Sequence, residues 1–218
     1  MAEMRTEEEQ VEAIKNWWKS NGISILVGIG AALAIVFGWQ SWQEQKAAER
    51  SQAASQFAGL LNALSSSDLD TRLETVRYLA GELQEDFEDS AYAVYGTLIL
   101  AQQQLLEQDD AAAAVESLKW ALDRVEQGGP VEPIVRHRLA QAQFAAGNND
   151  EALATLRNGT DAEAFAPLFA ELEGDILLAS GDEDSAKEAY KTAREALGEQ
   201  RNGLLELKMA DLSIGEEA

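Results

Sequence analysis

Few side chains in this 218-residue chain could do chemistry, and each has a plainer role open to it. His137 is the one histidine, set between Arg136 and Arg138. A histidine can act as a general base or a metal ligand near neutral pH. It needs partners for that, and the signatures that would supply them are missing. There is no serine–histidine–aspartate context, no glycine-rich phosphate loop and no H-E-x-x-H motif. Two acidic clusters invite a cation: Glu85, Asp86, Glu88 and Asp89, then Asp182, Glu183 and Asp184. Neither fits the D-x-[DN]-x-[DN]-G calcium loop. Helix caps and solvated turns account for both.

The absence of cysteine removes disulfides, thiolate zinc sites and cysteine nucleophiles. No residue is therefore assigned a catalytic, cofactor-binding or metal-binding role, and an enzyme is not expected. The formal net charge of −22 repels phosphate backbones, so no nucleic-acid partner is expected either. A hydrophobic share of 46% is that of a folded protein. The fold class expected is all-α: one N-terminal transmembrane helix followed by a tetratricopeptide-like helical-repeat domain.

The transmembrane expectation comes from Ser20–Gln43, which holds no charged residue. About 20 apolar residues cross a hydrocarbon layer as a helix. A cleaved signal peptide fits poorly: the segment before the run carries five glutamates, and no small-x-small site follows it. Trp17 and Trp18 stand at one end, Trp39 and Trp42 at the other. The 21 steps from Trp18 to Trp39 rise about 32 Å along a helix. Indoles gather at both faces of a bilayer because the ring is apolar and its N–H wants a polar partner. These four are the expected membrane-interface residues, with lipid as their partner.

Small residues recur every fourth place in the run, at Ser24, Gly28 and Ala32 and at Gly30, Ala34 and Gly38. That pattern admits close approach of another helix. Gly28, Gly30, Ala34 and Gly38 are the expected packing positions, and they leave a homodimer open. Upstream, Thr6 and Glu9 form a capping box ahead of a short amphipathic stretch. Lys15 and Lys19 on one side balance Lys46 and Arg50 on the other, so charge counting leaves the orientation open.

The rest of the chain reads as helices broken by short polar turns. "LAQAQFAAGNNDEALATL" (139–156) superposes on "EGDILLASGDEDSAKEAY" (173–190) without a gap. Gly147 and Gly181 lie 34 residues apart, the tetratricopeptide period. Each repeat needs small residues where its two helices touch and a left-handed residue at the turn. Ala140, Ala152, Gly174 and Ala186 supply the first, Gly147 and Gly181 the second. A degenerate third copy keeps Ala101 and Ala113 and puts Gln108 at the glycine place. Leu100, Leu139, Phe144, Leu178 and Tyr190 are expected to fill the space around these contacts. The expected organisation is a tail (1–21), the span (22–43), connecting or capping helices (44–90), repeats (91–200) and a C-terminal packing tail (201–218).

These residues resemble a known family, the YfgM-type ancillary subunits of the SecYEG translocon in Gram-negative bacteria. The likeness rests on Gln10, Val11, Glu12 and Ala13, on Lys15, on the aromatics at 17 and 18, and on Asn21–Gly22. Gly38, Trp39, Trp42, Tyr95–Gly96, "LAQQ" (100–103) and "LSI" (212–214) extend it. It implies a single-pass inner-membrane protein with a cytoplasmic N-terminus and a periplasmic repeat domain. It implies the SecYEG translocon and a membrane-anchored periplasmic chaperone of the prolyl-isomerase type as partners, and a role in passing translocated proteins to periplasmic chaperones. The alternative it carries is regulation of an envelope-stress pathway through the N-terminal tail, or with the repeats facing the cytosol.

Overall fold

The computed structural model describes residues 7–159, 163–198, 200 and 202–212. Thr6 of the expected capping box, Thr160 and Asp161 of one turn, and Ser213 and Ile214 of the terminal motif lie outside them. The described residues are helical throughout, with turns between and no strand. The chain divides into two compact units, Met1–Ser51 and Gln52–Ala218.

Helix α1 runs Glu7–Ala63. It holds no proline, and its charge-free run is long and apolar enough to cross a membrane. No helix break falls at 21–22 or at 43–44, where the expected span begins and ends. The polar residues beside the paired tryptophans satisfy themselves on the helix. Ser20 Oγ donates to the Asn16 carbonyl at 3.1 Å, and Asn21 Nδ2 donates to that of Trp17 at 2.9 Å. The Trp18 indole lies over Gly22, where a Cβ would meet ring atoms at 3.1 Å.

The second unit is a row of antiparallel helices. After the end of α1 come α2 (Leu69–Asp86), α3 (Ala91–Leu106), α4 (Ala111–Leu122), α5 (Glu132–Ala145) and α6 (Asn149–Arg157). A 3-10 turn at Glu163–Phe165 leads into α7 (Ala166–Ala179), then α8 (Glu183–Leu197) and α9 (Gly203–Asp211). Each helix packs on the next, and α5 also touches α3 and α7. Aspartate or asparagine caps start most of them; Asp68, Asp110 and Asp182 each accept from the backbone N–H three residues on.

Small side chains let the helix pairs close. Ala101, Ala140, Ala152 and Ala186 are buried, and Gly174 is covered by the Tyr190 ring. Gly147 (φ +78°) and Gly181 (φ +86°) make the turns of α5–α6 and α7–α8. In each, the next N–H reaches back five residues, Asn148 to Gln143 and Asp182 to Leu177. Of the expected space-fillers, Leu100, Leu139 and Tyr190 are buried; Leu178 is exposed and Phe144 half-buried.

The α3–α4 turn differs from expectation by one residue. Asp109, not Gln108, takes the left-handed conformation at φ +53°. Asp110 then reaches back six residues, to Gln104, at 2.8 Å. The turn carries one extra residue, so the register slips by one beyond it. Ala114, not Ala113, is therefore the buried counterpart of Ala152 and Ala186 in its own repeat. All three donate to the carbonyl of their helix cap, at 3.0–3.1 Å. Ala113 is half-buried, and its backbone N–H donates to Asp110 Oδ1 at 2.9 Å. Aspartate tolerates this backbone better than most residues, but glycine does so without a Cβ penalty. Asp109→Gly is expected to raise stability by about 0.5–1 kcal/mol and Asp109→Ala to lower it. The midpoint of chemical denaturation reads both.

Candidate partner-binding groove

The first helices of the three pairs, α3, α5 and α7, line an apolar groove of about 530 Å³. Its residues come in rows set by the register of the small contact residues Ala101, Ala140 and Gly174. Two places before each lie Ile99, Arg138 and Leu172; one place after lie Gln102, Gln141 and Asp175. Four places after come Leu105 and Phe144. Equivalent side chains on successive helices thus stand side by side along one wall. Leu106 and Ile134 are exposed at its edge.

The charges in the groove are unequal in their freedom. Asp175 accepts from the Tyr190 hydroxyl at 2.8 Å and meets the Lys208 ammonium at 2.8 Å. Lys208 also binds Glu171 at 2.8 Å, tying α9 to α7. Burial opposes its charge, but the hydrogen bonds to Asp175 and Glu171 outweigh that and hold its pKa above the ordinary lysine value. Burial, helped by the bond to Asp175, pushes the Tyr190 hydroxyl pKa upward, so it stays a neutral donor. Arg138 is exposed, and its guanidinium donates to the Gln141 amide oxygen at 3.0 Å.

Behind the wall, the helix pairs are tied by buried amides. Gln104 accepts from the Ser117 hydroxyl at 2.9 Å, and Gln143 from that of Thr155 at 2.7 Å. Leu177 and Ala189 hold the equivalent places in α7–α8. A buried amide left unpaired is costly, so these bonds fix the pairing of each helix with its neighbour. Sequence reasoning passed over both. Their signal was a glutamine three places after the small residue and a hydroxyl three places after the alanine opposite.

His137 packs against α7. Its ring stacks on Phe169 with centroids 5.9 Å apart. Burial, then the neighbouring Arg138, lowers its pKa below 6.5, against a hydrogen bond to the Leu168 backbone. A base whose folded pKa is lowered takes up fewer protons folded than unfolded. Its contribution is complete above pH 6.5 and is lost as the pH falls from there through the folded pKa. The melting temperature is expected to drop between pH 7.5 and 5, and less so in His137→Gln. Among the described residues, no three histidine or carboxylate side chains are placed to hold a metal ion.

The other singled-out residues lie elsewhere. Trp17, Trp18, Trp39 and Trp42 are each more than half exposed on α1, and the rings of Trp39 and Trp42 approach to 5.1 Å. Gly28, Gly30 and Gly38 leave open space where a Cβ would stand, and Ala34 is exposed with them. Of the repeat-signature residues, Ala101, Ala140, Ala152, Gly174 and Ala186 lie at helix contacts, Gly147 and Gly181 in turns and Ala113 beside its helix cap; only Ala101 also lines the groove. Apart from Ala101 and Phe144, the groove residues were not singled out in the sequence, because their positions show only once the three repeats are in register.

The family model of a tetratricopeptide repeat-like domain matches residues 15–214. An ancillary SecYEG translocon subunit of Haemophilus influenzae is 31% identical over 212 residues, 97% of this chain and 100% of the relative. That of Neisseria gonorrhoeae is 25% identical over 219 residues, covering 97% and 100%. That of Escherichia coli is 24% identical over 209 residues, covering 95% and 97%.

Proposed function

Because the chain belongs to the tetratricopeptide repeat-like family of ancillary SecYEG translocon subunits, we propose that it is a membrane-tethered, non-catalytic adaptor at the Sec translocon that helps pass translocated proteins to periplasmic chaperones. The observation that carries this reading is the span of the likeness. It covers the apolar helix and every repeat, where a generic repeat match would cover the repeats alone. The charge-free run of α1 fits an inner-membrane anchor, with the four tryptophans in the lipid interface. Gly28, Gly30, Ala34 and Gly38 offer a face on which a translocon helix or a second copy can pack. The repeats supply a protein-binding groove, and a membrane-anchored chaperone of the prolyl-isomerase type is the partner the resemblance implies for the periplasmic side.

The reading needs the N-terminus in the cytoplasm and residues 44–218 in the periplasm. Protease added to spheroplasts should degrade the repeat domain while the inner membrane is intact. A domain that survives until the membrane is opened would place it in the cytosol and end this proposal. A photo-crosslinker at position 28 or 30 should capture translocon subunits in intact cells.

A further inference from the structure

We propose that the groove selects an extended peptide segment with one carboxylate set between two apolar side chains, three residues from each. The inference rests on the adaptor reading above, since it names the chemistry of what that groove holds. Its starting point is Arg138. On the flanking helices the equivalent places hold Ile99, half-buried, and Leu172, which is 6% exposed and shows the groove only an edge of its core-packed side chain, so a cation stands between two apolar positions in one row. In the next row Asp175 is already met by Lys208 and Tyr190. Arg138, by contrast, donates to a neutral amide, and no carboxylate lies within ion-pair distance of it among the described residues. The groove therefore offers one positive charge without a carboxylate partner, in a row whose other two places are apolar. That is unusual placement in a chain of net charge −22. The surrounding negative field disfavours a polyacidic ligand, and screening over about 8 Å confines the attraction to one nearby carboxylate.

The spacing follows from helix packing. Neighbouring helices lie about 8–10 Å apart. An extended polyproline-II segment rises about 3.1 Å per residue with three residues per turn, so its side chains at i and i+3 share a face about 9 Å apart. A segment crossing α3, α5 and α7 would thus set an apolar side chain against Ile99, a glutamate or aspartate at Arg138, and a second apolar side chain over the exposed edge of Leu172. The amides of Gln102 and Gln141, exposed or half-exposed in the adjacent row, can serve its backbone.

A random 12-residue peptide library displayed on phage, panned on the full chain in detergent micelles, tests this. Wild type should enrich peptides with a single Asp or Glu flanked by apolar residues three places either side. Changing that acid to its amide in an enriched peptide should weaken binding about fivefold. Arg138→Gln should remove the acid preference while keeping the apolar one. Arg138→Glu should replace it with Lys or Arg. Arg138 is exposed and off the packing faces, so both variants should melt with wild type, and circular dichroism checks that. No enrichment, enrichment without an acid, or an acid preference that survives Arg138→Gln would overturn the proposal. Translocon crosslinks from the membrane helix that persist under those outcomes would leave the adaptor reading standing. Acid-selective binding without any translocon crosslink would sink the adaptor reading and leave this specificity.

Discussion

Glu132→Ala should destabilise the repeat unit by about 3–5 kcal/mol, the usual effect of removing one partner from a buried ion pair. Glu132 opens α5 and is 2% exposed. Its carboxylate accepts from the Gly128 N–H at 2.5 Å and pairs with the Arg136 guanidinium one turn along. The side chain of Arg136 is itself 13% exposed, so the charge left behind has little access to water. The same carboxylate closes the loop between α4 and α5, where Gly128 is left-handed at φ +76°. Removal thus strands a cation and loosens a turn. Two controls separate these effects. Glu132→Gln keeps an acceptor for Gly128 and should cost less. The double change Glu132→Met with Arg136→Met removes both charges and should recover much of the loss, because an apolar pair of similar volume is often neutral. Urea denaturation of the full chain in micelles, followed by circular dichroism, reads all three. A cost below about 1 kcal/mol for Glu132→Ala would mean that the pair is solvated.

Tyr190→Ala is expected to cost about 3–5 kcal/mol, the range for truncating a buried aromatic. Tyr190 is 1% exposed and packs with Ala170, Leu177, Ala193, Leu205 and Met209 at the end of the array. Truncation opens a cavity where α7, α8 and α9 meet and leaves Asp175 with one donor fewer. The ring also explains Gly174. A Cβ there would lie 2.5 Å from Tyr190 Cε1 and 2.6 Å from Cδ1, closer than real side-chain carbons approach. Gly174→Ala should cost about 1–3 kcal/mol through overpacking. Tyr190→Phe keeps those ring carbons and should not relieve that clash. Tyr190→Leu should relieve part of it, so the double variant Gly174→Ala with Tyr190→Leu should cost less than the two singles added. Additive losses would show that the helices simply move apart.

These two sites differ in how far they could be read beforehand. Gly174 was found by superposing one repeat on another, because close helix contact demands a small residue and the demand recurs with the repeat. Its partner Tyr190 was expected only as a space-filler; the ring stacked against the absent Cβ is a tertiary fact. Glu132 gave no signal at all. In sequence it is one acid in a loop, "QGGPVEP", and nothing local tells a buried carboxylate from a solvated one. The Asp109 turn shows the opposite failure. A glycine was sought at a fixed offset, and an inserted residue moved the left-handed position by one, to a side chain that also tolerates it.

By itself the sequence determined the all-helical class, the charge-free run, the tryptophans at its ends and the 34-residue period of the last two repeats. Each of these is a property of neighbours along the chain: hydropathy, helix propensity, caps and turn residues act within a few positions of one another. Only the tertiary structure decided which residues face the groove, that Ala114 rather than Ala113 meets its helix partner, and that Arg138 stands between Ile99 and Leu172. Those depend on how helices separated by tens of residues lie against each other. A single extra residue in one turn rotates every later side chain on its helix by about 100°, a change that no local pattern records.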